Sequence, residues 1–63
     1  MKNTENKIRA ARKAAGLSQT ELAEKIGVVQ SNVCRWERGA HRPQIDTLKK
    51  IAEALGTSVD NLL

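Results

Sequence analysis

Tyrosine and phenylalanine are absent from these 63 residues, and Trp36 supplies all the large aromatic surface. One ring is no platform for stacking successive bases, which argues against a single-stranded nucleic-acid binder. Cys34 is the only cysteine and His41 the only histidine. An internal disulfide is therefore excluded, and a zinc-holding Cys/His set is missing. No run approaches the ~20 apolar residues of a membrane span. The opening MKNTENK carries no apolar signal-peptide core, so the expectation is a soluble chain with no membrane partner. Enzyme readings fail as well. There is no phosphate-cradling glycine loop, no carboxylate pair in a plausible cleft and no nucleophile with histidine support. No cofactor, metal or small-molecule ligand is expected.

What is present is helical. The chain reads as one domain over residues 1–63, near the lower size limit for folding without a metal or disulfide. Helix 1 is expected from about Thr4 to Ala15, with Ile8, Ala11 and Ala15 on one face, and Gly16 ends it. Leu17 turns inward before Ser18 caps helix 2, which is read from about Ser18 to Ile26. Glu21, three residues after Ser18, completes a capping box. Leu22 and Ile26 share its apolar face, with Ala23 beside them. Gly27 follows the last apolar position, where a left-handed residue ends a helix without a Cβ. Val28 turns inward and helix 3 runs over about Gln30 to Arg38. Gly39 to Pro43 form a loop, because Pro43 cannot continue a helix. Helix 4 takes about Ile45 to Leu55, with Ile45, Leu48, Ile51, Ala52 and Leu55 as its stripe. Ser58 caps a last short helix, Val59 to Leu63. The fold class expected is all-α, a bundle of five helices.

Two short helices around a glycine turn, with small Ala23 where they cross, have the form of a DNA-reading helix-turn-helix. The charge agrees with a polyanionic partner. The formal net charge is +4. Residues 1–17 carry five Lys/Arg against one Glu, and residues 28–42 three Arg against one Glu, so the excess lies on helix 1 and around helix 3. First-turn residues of such a helix face base edges, with more from the next turn. That selects Gln30, Ser31 and Asn32, then Cys34 and Arg35. Gln can bridge adenine N6 and N7, and Arg can fork onto guanine O6 and N7. The competing view is an ordinary solvated polar face. Trp36 has two readings, a core residue following the spacing from Val33 or a base-stacking ring, and the spacing favours the core. Cys34 could act as a redox switch if its thiol faced the groove.

The segments GLSQTELAEKIGV, RWERG and RPQIDTLKKIAEALGTSVDNLL resemble the lambda-repressor-like helix-turn-helix family of the Cro/repressor (XRE) type. The resemblance runs from about Ile8 to Leu63. It implies a compact five-helix domain with helix 3 in the major groove, in a cytoplasmic, bacterial or phage-encoded regulator. Base contacts would fall on the positions of Gln30, Ser31 and Arg35. Gln19 would bind a phosphate while bracing Gln30, with Thr20 a further phosphate candidate. Arg38, His41 and Arg42 would grip the flanking backbone, which positions the protein without reading sequence. Arg12 and Glu37 match a structural ion pair between helices 1 and 3, against the rival view of two independent surface charges. Two positions depart from the pattern. Val29, just before helix 3, cannot accept a capping hydrogen bond, and Gln44 is a weak cap before helix 4.

The function expected is sequence-specific binding of a double-stranded DNA operator by a transcriptional regulator, a repressor by this reading. A single reading helix covers few base pairs, so a homodimer on an inverted repeat is expected, with half-sites roughly 34 Å apart. Asn61, Leu62 and Leu63 are the candidate dimer contact. The alternative is that at least one leucine closes the core and the chain is monomeric off DNA. A fragment lacking its oligomerisation part also fits. The rival function is a protein-interaction module, such as an antitoxin or a regulator-sequestering domain. A nonspecific nucleic-acid binder would show steep salt dependence with no preferred sequence.

Overall fold

The computed structural model describes residues 4–63, with side chains from Lys7 onward. Its elements are α1 (Thr4–Ala14), α2 (Gln19–Ile26), α3 (Gln30–Arg38), α4 (Ile45–Leu55) and α5 (Val59–Leu62). The expected all-α, five-helix class is the observed one. α3 packs on both α1 and α2, α4 packs on α2, and α5 bridges α1 and α4. No helix among the described residues is long and apolar enough to cross a membrane.

Local signals explain where each helix starts and stops. Ser18 Oγ accepts from the Glu21 amide at 3.0 Å, and the Glu21 carboxylate accepts from the Ser18 amide at 2.8 Å. This reciprocal box satisfies two amides that the first turn of a helix leaves without intrahelical partners. At the other end Gly27 sits at φ 78°, a left-handed conformation that costs a residue with a Cβ about 1–2 kcal/mol. The Gly27 amide and the Val28 amide both donate to the Ala23 carbonyl. The chain thereby turns within the three residues between Ile26 and Gln30, and α3 packs against α2. Val29 stands at the head of α3 in an extended conformation with no side-chain capping bond.

The core is small and continuous. Ile8 of α1, Leu22 of α2, Val33 of α3, Leu48 and Ile51 of α4 and Leu62 of α5 are its largest fully buried side chains. Each contributes about 1.5–3 kcal/mol by leaving water. Ala23 is 2% exposed, and its short side chain lets α2 lie close against its neighbours. Trp36 is 5% exposed, so it is a core residue and not a stacking ring.

Several expectations are corrected. α1 ends at Ala14, because Gly16 turns left-handed at φ 76°. Ala15 therefore falls outside the helix and is exposed, and the inner line of α1 is Ile8, Ala11 and Arg12 instead. Ile45, expected on the stripe of α4, is 55% exposed. It is the first residue of the helix, and side chains lean toward a helix N-terminus, so it points off the end rather than inward. Leu62 is fully buried and closes the core, which removes it as a dimer contact. Leu63 lies outside α5 at 48% exposure, and its carbonyl accepts from Lys7 Nζ at 2.9 Å. Ser18 caps α2 as expected, and the helix itself begins one residue later, at Gln19.

Candidate nucleic-acid interface

A line of buried polar groups supports the start of α3 from within. Glu37 lies on the inner side of α3 at 8% exposure. Its Oε2 accepts from Arg12 Nε at 2.6 Å, and its Oε1 accepts from Arg12 Nη2 at 3.1 Å. This two-pronged pairing uses the planar fork of the guanidinium. Arg12 Nη1 also donates to the Leu17 carbonyl at 2.8 Å, which ties α1 to the loop ahead of α2. Glu37 Oε1 accepts in addition from Gln19 Nε2 at 3.0 Å. Gln19 Oε1 in turn accepts from Gln30 Nε2 at 2.6 Å. Among the described residues, no buried side-chain nitrogen or oxygen lacks a partner. The family resemblance implies the Arg12–Glu37 pair, and the structure has it. Nothing in the sequence pointed to the Gln19–Glu37 bond, which depends on the angle between α2 and α3.

The outer surface is polar and cationic. Gln30, Ser31 and Arg35 are exposed, whereas Asn32 and Cys34 are half-buried. Thr20 is exposed beside half-buried Gln19 at the start of α2. The Asn32 amide donates to the Val29 carbonyl at 3.0 Å, but the Gln30 and Ser31 amides precede the first intrahelical bond, and Val29 offers them no side-chain acceptor. They are free to meet an anion, which the helix dipole also favours there. Arg38, His41 and Arg42 are exposed. Arg38 Nη1 lies 4.0 Å from Cys34 Sγ, one turn back on α3.

The structure brings Arg35, His41 and Arg42 around one concavity of about 200 Å³. Asn32 and Trp36 line it from α3, Pro43 from the loop, and Gln44 and Thr47 from the start of α4. Gln44 and Thr47 were not anticipated as part of this surface. The usable signal was Gln44 ahead of α4 with no capping bond of its own, a polar side chain left free. Arg38 does not line the concavity, so the basic side chains form two groups. Among the described residues, no cluster of three or more His, Cys, Asp or Glu could hold a metal.

Chemically, this surface offers the Gln30 carboxamide and the Arg35 guanidinium on successive turns of the outward side of α3, flanked by cations and by the first amides of the helix. A carboxamide and a guanidinium can each make two hydrogen bonds to a base edge in the major groove. The flanking groups suit phosphate oxygens.

Comparisons with known proteins agree with this geometry. A family model described as Helix-turn-helix matches residues 8–62. The chain is similar to an HTH-type transcriptional regulator of Methanothermobacter thermautotrophicus, 43% identical over 49 residues, which cover 78% of this chain and 71% of that one. It is also similar to the HTH-type transcriptional regulator ImmR of Bacillus subtilis, 37% identical over 57 residues. That match covers 90% of this chain but 45% of ImmR. Among solved structures, the P22 c2 repressor protein in complex with a synthetic operator superposes with a TM-score of 0.92 at 32% identity, covering 100% of this chain and 96% of that one. The chain belongs to the helix-turn-helix family of the lambda-repressor-like, Cro/repressor (XRE) type, a family of DNA-binding transcriptional regulators and not of enzymes.

Proposed function

We propose that this chain reads an operator in double-stranded DNA by laying α3 in the major groove, and that it does so as a transcriptional repressor. Gln30, Ser31, Asn32, Cys34 and Arg35 face base edges, with Gln30 and Arg35 supplying the two-bond contacts. Gln19 and Thr20 hold phosphate on one side of α3. Arg38, His41 and Arg42 hold it on the other. The observation that carries the reading is Gln30: an exposed side chain at the tip of α3, braced through Gln19 by a carboxylate in the core. An ordinary solvated glutamine has no such support. The similarity to a repressor solved on its operator favours the same docking and the same regulatory sign.

One copy of α3 spans only a few base pairs, so recognition of an operator takes two copies on an inverted repeat. Half-site centres would lie about one helical turn apart, roughly 34 Å. With Leu62 committed to the core, the exposed Asn61 of α5 and Leu63 just beyond it remain for contact with a second copy, and pairing occurs on DNA.

Selection of bound duplexes from a random pool at near-physiological salt tests the proposal. The expected outcome is an enriched inverted repeat whose spacing matches two half-sites. An unenriched pool from folded protein contradicts sequence-specific reading and moves the function to a protein partner. An enriched but single, unrepeated site contradicts the dimer.

A further inference from the structure

The hydrogen bonds that run from the core to the tip of α3 have a direction, and the direction bears on which base is read. Glu37 is paired with Arg12 through both carboxylate oxygens. An ionised carboxylate has only acceptors to offer. The atom of Gln19 that meets it must therefore be the amide nitrogen, as the 3.0 Å contact has it. The two ends of a carboxamide are unlike, so the Gln19 oxygen is turned toward α3. An oxygen there can only accept, and Gln30 meets it with Nε2 at 2.6 Å. Gln30 is left with one N–H and its carbonyl oxygen.

Base edges in the major groove distinguish the two possible orientations of Gln30. Adenine shows an acceptor, N7, beside a donor, the N6 amino group, while guanine shows two acceptors, N7 and O6. One N–H with one oxygen matches adenine. Two N–H groups, which Gln30 would offer if its oxygen were turned back to Gln19, match guanine.

We infer that Glu37 is a positioning residue for base selection: acting through Gln19, it sets Gln30 to read adenine rather than guanine. This rests on the DNA-reading function proposed above and adds to it a chemical preference at one operator position, imposed by a carboxylate in the core. Gln19 has a second amide hydrogen, so it can serve a phosphate without giving up its bond to Glu37.

Gln19 is the place to test this, because Arg12 and Glu37 stay paired when it is changed. Gln19→Met removes both hydrogen bonds at similar side-chain length. Gln19→Lys supplies only donors: the introduced ammonium satisfies Glu37 and turns the Gln30 oxygen toward itself. Duplexes are selected with the wild type, both variants and Gln30→Ala, and melting curves are recorded for each protein. The position read by Gln30 is the one whose preference disappears in Gln30→Ala.

At that position the wild type is expected to prefer adenine to guanine by about fivefold or more. Gln19→Met should bring the two toward parity, and Gln19→Lys should put guanine ahead. The base read by Arg35 should keep its enrichment throughout. An adenine preference unchanged in both variants would overturn the inference, as would a wild-type preference for guanine there. Equal relaxation at every position would do so too, since it would mean general loosening of α3. A wild type that enriches no sequence would instead overturn the DNA-reading function itself, and this inference with it.

Discussion

The inward side of α3 carries Val33, Trp36 and Glu37, all buried, while its outward side carries Gln30, Ser31, Arg35 and Arg38, all exposed. The two sides share nine residues of helix but answer to different constraints. Inside, a charge is tolerated because Arg12 meets it with two hydrogen bonds and Gln19 with a third. A buried pair of this kind fixes geometry more than it adds stability. Outside, polar side chains cost the fold nothing and are available to a ligand. Gln30 is where the two sides meet, since its carboxamide is exposed and yet held by the buried groups. The lesson is that the surface proposed to read DNA is aimed by the core.

The largest expected effect lies on the inner side. Glu37→Ala leaves the Arg12 guanidinium buried without its partner and should cost about 3–5 kcal/mol in urea unfolding. Arg12→Ala should cost a comparable amount, and the double variant less than the sum of the two. Additive losses would show two independent charges. On the outer side the balance is reversed. Arg35→Ala should relax discrimination at one operator position by about 1–3 kcal/mol, while stability stays within about 0.5 kcal/mol of the parent. A specificity profile identical to wild type would remove Arg35 from the readers.

A smaller effect is expected where the two helices of the motif begin. α2 starts with a complete capping box, whereas Val29 gives α3 no side-chain bond and is 63% exposed. Val29→Ser should therefore raise stability by about 1 kcal/mol, seen as a higher melting temperature. A lowered melting temperature would mean that the valine makes a compensating contact. Least visible of all should be Arg42→Ala. It is expected to weaken every sequence alike and to reduce the slope of affinity against salt by about one ion. A change confined to one base pair would make Arg42 a reader instead.

Much of this was legible in the chain because the punctuation is local. Ser18 with Glu21, and glycines placed just past the apolar runs, report on helix ends without reference to anything distant. The errors fell where a periodic pattern was extended past the residues that have a packing partner. Ala15 lies beyond the turn that ends α1, and Ile45 leans off the first turn of α4. Leu62 and Leu63 are neighbours of the same type, and only the closure of α5 on α1 and α4 tells them apart. The Gln19–Glu37 bond and the inclusion of Gln44 and Thr47 in the basic concavity join residues through interhelical angles. No pattern along the chain encodes those angles.

The claim at the centre is that the outward side of α3 is the surface that meets DNA. Amide and side-chain NMR spectra of the isotope-labelled protein, titrated with its selected duplex, test it directly. A shallow concavity between α2 and α4, lined by Lys25, Lys50 and Glu53, lies apart from α3. The largest shifts should fall on Gln19, Gln30, Ser31 and Arg35, with smaller ones on His41 and Arg42, and none on that concavity. Shifts centred on that second surface, with Gln30 and Arg35 unmoved, would contradict the account.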